Sequence, residues 1–282
     1  MTRQSRVETR EYRTRKNTWG FMTYSMVFVS LMLIVSGMLA KGAAPADLTV
    51  IPEAAPKPTP VTQTFDETPD ERRLSLPSNQ WFALQLGVYE SKESAEVTAA
   101  SYRQRGAAGY VWQEGDRNRI LAAVYSEEDD AQRVREKLRT QQNIDTYVYE
   151  IAAEDVTIEF KGMKGQLDAI EACFDKLRQT PMNLLKLSRS LDAQETDTAE
   201  AKRQLKNEAN DLKQLTQLIS QRFIKPYHPL VEGMETLLNS WSSYLEQLSL
   251  SEENEAAFGG RVKYETLALI QSAKVYYKTL TQ

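Results

Sequence analysis

The chain has 282 residues, a formal net charge of −4, one cysteine and one histidine. A single thiol excludes a disulfide framework, and a single histidine leaves nothing for the His-rich centres of zinc-dependent hydrolases. From the N-terminus, Arg3, Arg6, Arg10, Arg13, Arg15 and Lys16 outweigh Glu8 and Glu11, so residues 1–18 read as a basic tail. Residues 19–40, Trp19 to Ala40, are uncharged and strongly apolar, about the length needed to cross a hydrocarbon core. The positive-inside rule then predicts a single-pass plasma-membrane protein, N-terminus cytoplasmic and the remainder extracytoplasmic. A cleaved signal peptide is the competing reading, with small residues from Gly42 to Ala46. Its apolar core runs only about 7–15 residues, and an uncleaved anchor is expected. Residues 41–79 hold seven of the ten prolines with no periodicity, and read as a Pro-rich disordered linker.

Beyond the linker, two stretches match at an offset of thirty-six residues. Leu84, Val88, Tyr89 and Ala95 are answered by Ile120, Val124, Tyr125 and Ala131, and Tyr102 by Leu138. A fixed period marks a supersecondary unit used twice. The first unit opens on the β-rich run Trp81–Tyr89. A helix follows over Lys92–Arg105, with Ala95, Ala99 and Tyr102 at helical spacing and Gly106 as its stop. Ala107–Gln113 is a short aromatic strand. After a turn at Glu114–Arg117 the order repeats as Asn118–Tyr125, Asp129–Thr140 and Thr146–Ile151. Residues 80–155 thus predict βαββαβ, a ferredoxin-like split sandwich.

The run from Trp81 to Glu96 (WFALQLGVYESKESAE) resembles the opening of SPOR, or sporulation-related repeat, domains. That family shows aromatic-aliphatic-Gln-aliphatic-Gly-x-aromatic, then a polar turn and a helix with an early Ala. The run Asn118–Ala131 is similar to the family's second half-repeat, although Leu121 and Ala123 stand where a polar residue and a glycine are usual. The resemblance implies binding of septal peptidoglycan, specifically glycan strands stripped of their stem peptides. The residues are compatible with this. An antiparallel sheet with both helices on one face leaves the other free. Strand alternation sends Phe82, Leu84, Leu86 and Val88 inward and Trp81, Ala83, Gln85 and Gly87 outward. In Asn118–Tyr125 it sends Ile120, Ala122 and Val124 in, and Arg119 and Leu121 out. Trp81, Gln85 and Arg119 are then the expected glycan-binding residues: a flat ring for sugar C–H faces, an amide and a guanidinium for hydroxyls and acetamides. Against this, an exposed Gln is ordinarily only a solvated polar residue, and Trp81 has a second use in packing under the linker. Trp112, Tyr147 and Tyr149 stay unassigned, because the half-repeats disagree on which parity faces out. RNA-binding domains share this element order but need a basic, aromatic-bearing third strand. That strand has no aromatic before Tyr125, and Glu127–Asp130 adds four negative charges. No nucleic-acid partner is expected.

Residues 161–282 are helical in composition and predict an all-α bundle of four or five helices. The candidates are Gly165–Arg178, Met182–Leu191, Glu195–Phe223, Leu230–Leu248 and Arg261–Leu280. Pro181, the Pro226–Pro229 cluster and Gly259-Gly260 mark their boundaries. Leu205, Ala209, Leu212, Leu215, Ile219 and Phe223 make one apolar stripe, read as core. Cys173 falls on the apolar face with Ile170, Phe174 and Leu177, and His228 sits in a turn. Neither suggests catalysis, and no metal or other cofactor is expected.

The overall class is therefore α+β: a membrane-anchored chain with a SPOR-type domain followed by a helical bundle. This order of parts resembles the stage II sporulation protein B family of endospore-forming Gram-positive bacteria. It implies a non-catalytic wall-binding protein of division or sporulation and engulfment. Expected partners are peptidoglycan, the membrane through one span, and division or sporulation membrane proteins. The alternative is an interaction scaffold whose degenerate SPOR-like unit has lost glycan, acting through its helical tail; a wall hydrolase with an unrecognised tail is a third reading.

Overall fold

A computed structural model describes residues 69–76, 79–152 and 155–281. The expected basic tail and the apolar segment 19–40 lie outside the described residues, among which no helix is long and apolar enough to cross a membrane. The chain runs β1 (Pro69–Leu76), β2 (Trp81–Tyr89), α1 (Lys92–Arg103), β3 (Tyr110–Glu114), β4 (Arg117–Tyr125), α2 (Glu128–Gln142), β5 (Tyr147–Ile151) and β6 (Val156–Met163). Four helices follow: α3 (Lys164–Asp192), α4 (Thr198–Arg222), α5 (Pro229–Ser249) and α6 (Glu255–Thr279).

Strands β2 to β5 form one antiparallel sheet in the order β3-β4-β2-β5, with the two half-repeat strands β2 and β4 side by side at its centre. Helices α1 and α2 pack on one face. Ala95 and Ala99 of α1 meet Ile120, and Ala131, Val134 and Leu138 of α2 meet Leu84 and Val148. Ser91 caps α1 by accepting the Ser94 amide. Gly106, at φ +83°, takes the left-handed conformation that lets the chain turn from α1 towards β3.

Simple alternation fails at two places in the central pair. The register steps from Leu84↔Ala123 to Gln85↔Leu121, giving β4 one extra residue, and then to Gly87↔Ile120, giving β2 one extra residue. These are compensating bulges, and each switches which parity faces which side. Val124, expected on the helix side, joins Trp81 and Ala83 on the other face. Val88, also expected inside, is exposed, while Tyr89 packs on α1. Gly87 changes sides as well: a Cβ placed there would meet the Tyr89 ring at 3.0 Å.

The linker and domain boundaries also need correction. Residues 69–76, at the end of the expected disordered linker, form β1. This strand pairs along its whole length with β6, from Pro69↔Met163 to Leu76↔Val156. The ribbon packs Leu74, Leu76, Val156, Ile158 and Phe160 on the helical core, and Arg72 reaches Asp168 (2.7 Å) and Glu171 (2.9 Å) on α3. The four-stranded sheet is thus nested between two strands that belong to the helical part.

Two expected helix breaks are absent. Pro181 lies inside the continuous α3. It forfeits one backbone donor, but Phe174 and Leu177 before it and Leu184 and Leu187 after it are buried in the same core. Gly259 and Gly260 lie inside α6. The stripe on α4 is core, with Leu205, Ala209, Leu212 and Ile219 buried. Cys173 is buried, and burial pushes its thiol up to about 12, away from nucleophilic use. His228 accepts the Leu230 amide at 3.3 Å as the cap of α5. Asp197 caps α4 by accepting the Glu200 amide at 2.8 Å. Asp197→Ala should cost about 1 kcal/mol in urea unfolding, with Asp197→Asn recovering most of it.

Candidate functional site

The face of the sheet opposite α1 and α2, expected to be free, is roofed by the chain's own C-terminal helices. Leu267 and Ile270 of α6 and Leu185 of α3 form one buried cluster with Trp81, Ala83, Trp112, Leu121, Val124 and Ile151. The roof is also fixed by directed contacts. Tyr110 meets the Tyr264 ring edge-on with centroids 4.9 Å apart, and its hydroxyl donates to Gln271. Lys263 bonds Asp192 at 2.7 Å and the Gly106 carbonyl at 3.3 Å. Arg189 of α3 pairs with Asp130 of α2 at 2.8 Å.

The three residues singled out in the sequence separate under this roof. Trp81 is 4 % exposed and sits in the roofed cluster rather than beside the other two. Leu121, at the position where SPOR sequences usually carry a polar residue, is fully buried in that cluster. Gln85 and Arg119 do come together: the guanidinium donates from Nη1 to Gln85 Oε1 at 2.8 Å. Gln85 is only 9 % exposed, so this pair stands at the margin of the roof.

Around that pair lies a polar cluster not anticipated from the sequence. Glu114, at the end of β3, accepts from Arg119 Nε and Nη2 at 3.2 and 3.1 Å through Oε2. Through Oε1 it accepts the Tyr149 hydroxyl at 2.7 Å. The Arg119 guanidinium lies 4.5 Å from the centre of the Tyr149 ring, a cation–π contact. Tyr147, paired in register with Gln85, stands 67 % exposed at the sheet edge, with Val88 also exposed. Lys274 of α6 borders the cluster: its Nζ is 5.9 Å from the centre of the Trp112 ring, and its charge acts on Glu114.

Electrostatics follow from these contacts. The Tyr149 hydrogen bond first, and Arg119 after it, hold the Glu114 carboxyl below its ordinary value against partial burial. Burial, with help from Glu114, pushes the Tyr149 hydroxyl up to about 12. A depressed carboxyl stabilises the fold above its unfolded value, and that contribution disappears as pH falls through the lower folded value. The Arg119 Nε–H should therefore lose exchange protection only in acid below the ordinary glutamate range, and Glu114→Gln should remove this acid transition. NMR of the guanidinium protons measures it.

A polar groove of about 600 Å³ between α3 and α4, bordered by Asn183, Lys186, Glu208 and Asp211, contains no sheet residue. Among the described residues no group of three or more His, Cys, Asp or Glu is placed to hold a metal ion.

Residues 78–150 match the family described as SPOR domain, so this part of the chain is a SPOR domain. No curated protein and no solved structure matches the chain.

Proposed function

We propose that this is a non-catalytic, single-pass membrane protein that binds septal peptidoglycan through its SPOR domain, in cell division or in sporulation and engulfment. The observation that carries the reading is the SPOR match over residues 78–150, the stretch that contains Gln85, Arg119, Glu114, Tyr147 and Tyr149. SPOR domains are binding modules rather than catalysts, and a peptidoglycan ligand suits an exposed ring beside amide and guanidinium groups. The preferred ligand is glycan strands stripped of stem peptides. Anchoring through residues 19–40 rests on their apolar length and the basic residues before them. It would place the SPOR domain outside the membrane, where the wall is.

A second reading is favoured by one specific observation, the burial of Leu121 and Trp81 under α6 and α3. A sheet face given over to an intramolecular contact fits a scaffold that acts through its helices on a division or sporulation membrane protein. Co-sedimentation of the full-length chain with insoluble sacculi, untreated and stripped by an amidase, separates the two. Binding that rises on stripped sacculi, without release of soluble muropeptides, supports wall binding. No binding to either preparation, by protein with a cooperative unfolding transition, overturns it in favour of the scaffold.

A further inference from the structure

The roof raises the question of where on the sheet a polymer can lie. Opening it would expose an apolar cluster that includes Trp81, Trp112, Leu121, Leu267 and Ile270. Returning even four such large apolar side chains to water is strongly unfavourable. The roof therefore behaves as core and not as a lid, and the covered part of the face is closed to ligands.

What stays accessible is one corner. It combines the exposed Tyr147 ring, the half-buried Tyr149 ring, the Arg119 guanidinium held by Glu114 and Gln85, and the Lys274 ammonium of α6. Two cations against one carboxylate leave the corner positive. Its sources are mixed, since β4 and β5 supply rings and guanidinium while the helical domain supplies the second cation.

We propose that the helical domain forms one wall of the binding site, so that the ligand is read at this corner and Lys274 is one of its specificity residues. The proposal rests on the wall-binding reading above. The ligand class is an amino-sugar polymer carrying free carboxylates. Tyr147 covers the apolar face of a sugar ring, and Lys274 with Arg119 faces a carboxylate. Amide cleavage that removes a stem peptide turns a neutral amide on the glycan into such a carboxylate, which gives a cationic corner a reason to prefer stripped strands. Glu114 is a positioning residue: it orients Arg119 and Tyr149 and needs no contact with the sugar.

The test is sacculus co-sedimentation by the full-length chain with Tyr147→Ala, Lys274→Gln and Trp81→Phe, on untreated and amidase-stripped sacculi. Tyr147→Ala should weaken binding about tenfold on both substrates and leave the thermal midpoint unchanged, because the ring is exposed. Lys274→Gln should weaken binding to stripped sacculi about fivefold and barely change binding to untreated ones, which shrinks the preference. Trp81→Phe should bind like the parent. If the parent binds but Tyr147→Ala and Lys274→Gln bind equally well, the corner is not the site and the proposal falls while wall binding stands. A parent that binds neither substrate removes both.

Discussion

Leu121→Asn should destabilise the protein by about 4 kcal/mol, although it restores the kind of residue that SPOR sequences usually carry there. The side chain is fully buried between β4 and α6, in a cluster with Leu267 and Ile270. Losing its transfer free energy costs about 2 kcal/mol. An amide with no partner in that cluster adds roughly 1–3 kcal/mol. Guanidinium unfolding of wild type and variant measures the difference directly. A change below about 1 kcal/mol would mean that this sheet face is wet in solution and that α6 does not dock on it. The proposed corner would then be only part of a larger open face. The same substitution thus asks both how the fold is held and how much of the sheet a ligand can reach.

Gly260→Val should cost about 3 kcal/mol by forcing α6 away from the sheet domain. A Cβ at Gly260 would stand 3.1 Å from the Ala107 oxygen and the Gly106 carbonyl carbon, and 3.2 Å from Gly106 Cα. All three are backbone atoms, which cannot rotate aside. A single methyl at this position sets the crowding against a gain of up to about 1 kcal/mol in helix propensity. Valine brings two further carbons and a β-branch into the same contact. Gly259 is the internal control, because a Cβ there meets nothing within 4 Å. Gly259→Ala should stabilise by up to about 1 kcal/mol, so neighbouring glycines on one helix should respond with opposite signs. Thermal unfolding of both variants checks it.

The sheet domain was legible in the sequence because its signals are local and repeated. The thirty-six-residue offset, the turn after Tyr89 and Gly106 fixed four strands and two helices, and the two matching strands β2 and β4 form the centre of the sheet. The bulges were not legible. They insert one residue in each central strand and leave the apolar pattern looking regular, so Val88 and Val124 were placed on the wrong faces. Trp112, aligned with Val148 by the repeat, pairs with Arg119 where Val148 pairs with Leu84, so Trp112 faces the roof while Val148 faces α2. Glu114 and Tyr149 were missed for that reason, since their meeting depends on a register no single strand reveals. The roof itself left one trace, the apolar Leu121 on a strand face expected to be solvated. Gly259-Gly260 read as a break because glycine is a poor helix former; in this chain Gly260 marks a close approach between a helix and a loop.

Nesting the sheet between β1 and β6 has a mechanical consequence. A pull between the upstream chain and the sheet domain runs along the covalent backbone of β1, parallel to the strand, and its hydrogen bonds to β6 need not break. A pull between the upstream chain and the helices acts at Pro69↔Met163, where α3 begins, and opens the ribbon one pair at a time. A load borne through the sheet therefore leaves the ribbon closed, while a load borne through the helices peels it from its outer end. The ribbon distinguishes tension by where the far end is held.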